Sequence, residues 1–220
     1  MSAAREKLAR ARLYFVCDAA RPHELRGLLE DALSGGADLI QLRDKAAGDD
    51  RIREAAATFR AAADRHGALF LINDRPDLVG VLGADGVHVG QDDMSVAEAR
   101  RLAGPEAIVG LSSHSPEQLA AAEAESGEGR PDYLSVGPVW ATPTKPGRPA
   151  AGLDYVRHAA EHASLPWFAI GGIDDTRLLE LVSAGAERIV VVRAIRDAAD
   201  PAAAATRLLE ALPRTGGAPA

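Results

Sequence analysis

Two short apolar runs in this sequence end in acid. LFLIND (69–74) closes on Asn73-Asp74, and GVHVG (86–90) is followed by Gln91-Asp92-Asp93. Neighbouring parallel strands joined by a helix point the same way, so their C-terminal ends lie side by side. That arrangement brings Asp74 and Asp93 to one rim although 18 residues separate them. Two carboxylates with an amide beside them suit a hard cation such as Mg²⁺, which takes oxygen ligands and is often shared with substrate phosphates. The alternative is that Asp-Arg-Pro and Gln-Asp-Asp start loops and cap helices, which Asp does well. This stretch alone leaves both readings open.

A second constellation is cationic. In Leu39-Ile40-Gln41-Leu42-Arg43-Asp44-Lys45, strand alternation puts Gln41, Arg43 and Lys45 on one face and Ile40 and Leu42 on the other. Burying an amide and two cations without partners is costly. They either form a rim salt bridge with Asp74 or Asp93, or they bind an anion, with Arg43 as a bidentate fork and Lys45 as a point charge. The anion site is the preferred reading.

Other polar groups follow at the ends of later apolar runs. Ser112 and Ser113 bond a ligand or cap the next helix. His88 and His114 invite assignment as bases, yet a hydrogen-bonded structural histidine serves equally, and no nucleophile motif is near. The segment 137–149 is rich in Pro and Gly and carries Thr142, Thr144, Lys145 and Arg148; its length is that of a binding loop or lid. Gly171-Gly172 permits close backbone approach to a phosphate. With the run ending at Val192-Arg193, it forms the expected phosphate pocket of a barrel.

These residues must be positioned by a regular scaffold, and the sequence repeats one. Strand-like runs recur at 13–18, 39–44, 69–74, 86–90, 108–113, 132–138, 166–172 and 188–194. Between or after them lie helical stretches at 23–36, 51–67, 95–104, 115–127, 174–186 and 200–212, several opening on Ser or Asp and closing near Gly. The runs are almost continuously apolar, as parallel strands buried on both faces should be. Eight such units predict a single (β/α)₈ TIM barrel over 13–212, with its active site at the C-terminal ends of the strands. A doubly wound open sheet is the alternative, but no Gly-x-Gly-x-x-Gly follows the first run.

Composition narrows the function. At 220 residues and 47% hydrophobic, the chain affords one large core. A formal net charge of −7 without a basic stripe, and 4% aromatics, argue against nucleic acid. The single cysteine, Cys17, allows no disulfide framework or CxxC metal site and reads as a small buried residue. Residues 1–12 read as a loose leader or short amphipathic helix, and 213–220 as a disordered tail. No signal peptide or membrane span is expected, which makes the cytoplasm the default location.

The motifs QLRDK (41–45), IND (72–74), DGVHVGQDD (85–93), GLSSH (110–114), GPVWATPTK (137–145), IGGI (170–173) and VVVRAI (190–195) resemble the thiamine-phosphate synthase family, from about residue 13 to 212. The resemblance implies a transferase joining hydroxymethylpyrimidine diphosphate to a thiazole phosphate, plain or carboxylated, with Mg²⁺. Carried over by position, Gln41, Arg43 and Lys45 would bind the diphosphate and Asn73 the pyrimidine. Asp74 and Asp93 would hold the metal. Ser112 and Lys145 would hold the pyrimidine diphosphate, and Arg43, Lys45, Ser112 and Lys145 would form the catalytic set. Thr142 and Thr144, with backbone at Gly172 and Val192-Arg193, would bind the thiazole phosphate. The resemblance leaves room for a homodimer. One departure stands out: Arg193 occupies a place where many members carry Ser or Thr. A thiazole tautomerase of the same superfamily and a non-catalytic phosphometabolite-binding barrel are the competing readings. The joint presence of Arg43, Lys45, Asp74, Asp93 and Lys145 argues against the tautomerase.

Overall fold

A computed structural model describes residues 2–19, 22–142 and 149–214. The strands are β1 (Leu13–Cys17), β2 (Leu39–Leu42), β3 (Leu69–Asn73), β4 (Gly86–Val89), β5 (Ile108–Ser113), β6 (Tyr133–Val136), β7 (Trp167–Ile170) and β8 (Ile189–Val191). All pair in parallel with their sequence neighbours, and β8 pairs with β1, closing a barrel. The expected (β/α)₈ barrel is therefore the fold. The helices are α1 (Ala3–Arg10), α2 (Pro22–Ser34), α3 (Asp49–His66), α4 (Val79–Leu82), α5 (Val96–Ala103), α6 (Pro116–Ala124), α7 (Gly152–His162), α8 (Leu178–Ser183), α9 (Arg193–Arg196) and α10 (Pro201–Ala211). Among the described residues no helix is long and apolar enough to cross a membrane.

Alternation along each strand sorts its residues. Leu13, Phe15, Ile40, Phe70, Ile72, Val87 and Val109 pack outward in the layer between barrel and helices. Tyr14, Val16, Leu39, Leu69, Leu71, Ile108, Tyr133 and Phe168 fill the barrel interior. Both faces of the strands are buried, which explains their nearly unbroken apolar sequence. The interior is tightly filled: a Cβ on Gly110 would lie 2.1 Å from the Tyr133 ring, so only glycine leaves room for that side chain.

The lower end is fixed by a repeated device. Asp38, Asp85 and Asp132 each stand just before an even-numbered strand. Their carboxylates accept the backbone N–H of Leu13 at 3.0 Å, Phe70 at 2.8 Å and Val109 at 2.8 Å, at or beside the start of the preceding strand. Asp132 is further gripped by Arg5 at 2.6 Å and Arg100 at 3.1 Å. Arg5 belongs to α1, whose Leu8 is buried with the interior residues. Arg188 donates to Ala9 and Ala11 carbonyls. Residues 3–11 thus close the lower mouth and leave the upper one for chemistry.

Candidate active site

The upper mouth opens into a cavity of about 580 Å³. Gln41, Arg43, Lys45, Asn73, Asp74, Asp93 and Ser112 all line it. A second cavity of about 310 Å³ is lined by Thr142, Gly172, Val192 and Arg193 among others. The two share Ile170, Val190 and Val192 as a common wall. The expected residues Thr144 and Lys145 lie outside the described residues.

The cationic constellation forms on one face, as the alternation expects, and a turn carries its last member. Regular pairing in β2 ends at Leu42, yet Arg43 N still donates to Cys17 O at 2.9 Å, and Gln41, Arg43 and Lys45 all line the cavity while Ile40 and Leu42 pack outward. The Asp44 carboxylate turns the chain there: Oδ1 accepts from Ala46 N and Ala47 N, each at 3.1 Å, and Oδ2 from Ala19 N at 3.3 Å. Lys45 reaches the cavity from this turn.

The acid rim forms as the parallel register requires. Ile72 pairs with Val87 and Asn73 with His88, so β3 and β4 end together. Asp74 N donates to His88 O at 2.9 Å. Asp74 itself adopts φ 59°, a left-handed conformation that Asp tolerates better than most residues. Its Oδ2 stands 2.8 Å from Lys45 Nζ, so the rim salt bridge is present. Asp93 Oδ2 accepts from Gly90 N at 2.9 Å, so it also shapes the loop after β4, whereas Ser95 caps the helix that follows. Neither contact uses all the lone pairs of a carboxylate, and both acids still face the cavity.

Beneath the rim the interior turns polar. Gln41 Nε2 donates to Tyr14 Oη at 2.6 Å, and Tyr14 Oη lies 3.1 Å from Tyr133 Oη. Tyr133 Oη is 2.9 Å from His88 Nδ1, and His88 Nε2 is 3.0 Å from Ser112 Oγ. Ser135 Oγ joins at 3.4 Å from His88 Nε2. Burial drives the phenol of Tyr14 far above its ordinary range, with opposing contributions from its hydrogen bonds to Tyr133 and Gln41. Burial also raises Tyr133, and the neighbouring Tyr14 adds to it. Both therefore stay protonated and act as neutral links. His88 is thus a member of a buried network that holds Gln41 and Ser112. His114 Nδ1 donates to Gly137 O at 2.5 Å, tying the end of β5 to the segment after β6.

The sequence pattern of thiamine monophosphate synthase matches residues 13–195. The chain belongs to the thiamine-phosphate synthase family. A thiamine-phosphate synthase of Mycobacterium sp. (strain KMS) is 51% identical over 216 residues, covering 93% of this chain and 94% of the relative. Another, from Mycobacterium leprae (strain TN), is 49% identical over 220 residues, covering 95% and 94%. Among solved structures, a thiamine phosphate pyrophosphorylase from Pyrococcus furiosus superposes with a TM-score of 0.81 at 33% identity, covering 94% of this chain and 96% of that one. The family is one of transferases in thiamine biosynthesis, and this member is accordingly an enzyme.

Sequence reasoning did not single out Tyr14, Tyr133 and Ser135, which complete the site of this family member from below. Their signal was available: each falls on an inward position once the strand alternation is fixed by Gln41 and His88. Gln91, which donates to Ser112 O at 2.7 Å, was read only as part of the acidic motif. Among the described residues no group of three or more His, Cys, Asp or Glu forms a metal cage. Two rim carboxylates beside a cavity fit an ion that keeps waters and takes substrate oxygens, as Mg²⁺ does, better than one held wholly by protein.

Proposed function

We propose that the protein joins a hydroxymethylpyrimidine diphosphate to a thiazole phosphate, yielding thiamine phosphate and diphosphate. The observation that supports this most is the pair of adjoining cavities. The larger carries Arg43, Lys45, Asp74 and Asp93; the smaller carries the Gly171-Gly172 turn and Arg193; they meet along Ile170, Val190 and Val192. Two phosphorylated substrates, each held by its own end, can present their reacting atoms across that shared wall.

In this reading the diphosphate lies against Arg43 and Lys45, with Gln41, Asn73 and Ser112 orienting the pyrimidine end. Asp74 and Asp93 would hold Mg²⁺, which when bound supplies charge neutralisation to the diphosphate oxygens. The methylene–oxygen bond breaks and its electron pair leaves with the diphosphate, so the methylene carbon gains cationic character. Arg43 and Lys45 stabilise the charge gathering on the leaving oxygens. The thiazole nitrogen then donates its lone pair to that carbon, and the ring becomes a thiazolium. No enzyme nucleophile is needed, which agrees with His88 being engaged in a buried network. Thr142, Gly172, Val192 and Arg193, all of which line the smaller cavity, hold the thiazole phosphate.

Turnover tests the reading. With both substrates and Mg²⁺, diphosphate release should equal thiamine phosphate formed. Isomerisation of the thiazole alone, or binding of both without release, would contradict it.

A further inference from the structure

We propose that Arg177 is a positioning residue for the smaller cavity, holding in place the two segments that form its phosphate-binding face. The inference rests on the reading that this cavity takes the thiazole phosphate.

Arg177 Nη1 donates to Gly172 O at 2.7 Å. Its guanidinium carbon lies 5.2 Å from the centroid of the Trp140 ring. A guanidinium donates hydrogen bonds in its plane and stacks through its face, so one group serves both contacts without competition. Gly172 belongs to the turn after β7, and Trp140 to the segment after β6. The two segments are also joined by Trp140 N donating to Gly171 O at 3.1 Å and Val139 N to Ile170 O at 2.8 Å.

The contact with Gly172 O has a directional consequence. In a trans peptide the carbonyl and the following N–H point opposite ways. Holding the Gly172 carbonyl on Arg177 turns the Ile173 N–H to the other side. Gly172 and Ile173 line the cavity, and Arg177 is not among its lining residues. Neither the Gly172 nor the Ile173 N–H meets an acceptor among the described residues, although Ile173 is only 7% exposed. Backbone N–H groups need an acceptor, and an anion bound in the cavity these residues line would supply one.

The packing leaves no slack. Gly172 has φ +68°, and a Cβ there would lie 2.8 Å from Trp140 Cβ and 3.0 Å from Arg177 Nη1. Thr142, two residues beyond Trp140, lines the same cavity. Arg177 thus sets one wall through a peptide plane and the other through a stacked ring, without touching the ligand.

Steady-state kinetics on the full chain, varying each substrate in turn, tests this. Arg177→Ala should raise KM for the thiazole phosphate about tenfold or more, as loss of a charge-assisted hydrogen bond would. KM for the pyrimidine diphosphate should stay within about twofold, and kcat should change less than the thiazole KM. Trp140→Ala should give the same split, Trp140→Phe should largely restore it, and the double variant should be less than additive. Arg177→Lys, which keeps the charge but not the fork and stack together, should fall between. An unchanged thiazole KM in Arg177→Ala, an equal rise in both KM values, or full additivity would overturn the inference while wild-type turnover stands. Absence of wild-type turnover would instead overturn the reading beneath it.

Discussion

Lys45 Nζ and Asp74 Oδ2 stand 2.8 Å apart at the mouth of the larger cavity. The cation suited to a diphosphate and the acid suited to a metal are thus each other's partner. Lys45 is more than half exposed, so opening the pair costs only about 0–1 kcal/mol. An incoming Mg²⁺–diphosphate can take both groups at once, leaving neither charge uncompensated.

Lys45→Met should therefore change unfolding free energy by no more than about 1 kcal/mol. It should lower synthesis at least about a hundredfold, the scale of losing one preorganised charge at a developing anion. Denaturant melts and diphosphate-release rates on the same preparation check both. A large loss of stability would mean that the pair is structural.

Asp93→Asn keeps an acceptor for Gly90 N but removes the charge. The fold should remain, and synthesis should fall by most of its rate while the Mg²⁺ concentration for half-maximal rate rises. The more drastic Asp93→Ala should lose most activity as well, with about 1 kcal/mol of stability for the missing hydrogen bond. Wild-type turnover in either variant would refute the metal role.

The barrel was legible because its strands are buried on both faces, which writes eight apolar runs into the sequence. Ser95, Ser115 and Asp200 also cap their helices as their types suggest, each side chain accepting an N–H three residues on. Legibility failed where closure of the barrel, not local pattern, makes the contact. Tyr14 and Tyr133 look like ordinary strand residues and stand 119 positions apart, yet their hydroxyls meet in the interior. The stretch 174–186 promised one helix, but regular helix spans only Leu178–Ser183, because the Asp174 carboxylate binds the N–H and hydroxyl of Thr176 and holds a turn. Nothing in the local pattern marks Arg177, whose partners Gly172 and Trp140 come from two separate segments.

Asp132 anchors the lower end by accepting from Arg5, Arg100 and Val109 N. Asp132→Ala leaves two largely buried guanidinium groups short of a partner and should cost about 3 kcal/mol. Denaturant unfolding measures this, and activity well below the transition should be unaffected because the residue lies at the opposite end from the cavity.

Glu123 predicts an acid-sensitive element. Burial tends to raise its pKa, but hydrogen bonds from the Ser164 hydroxyl and from Leu165 and Ser164 N–H, with Arg130 nearby, leave it below its ordinary 4.5. A depressed carboxylate contributes stability that is present above 4.5 and is lost as pH falls through its folded value. Glu123→Gln should be less stable than wild type at neutral pH, and that gap should narrow on acidification below about 4.5. A gap independent of pH would contradict the assignment.

The most direct measurement is a crystal soaked with thiamine phosphate, diphosphate and Mg²⁺. Diphosphate should lie in the larger cavity between Arg43 and Lys45, with the ion on Asp74 and Asp93 and the thiamine phosphate ester against Gly172 and Arg193. Diphosphate bound away from those four side chains, or both phosphorylated groups in one cavity, would contradict the account.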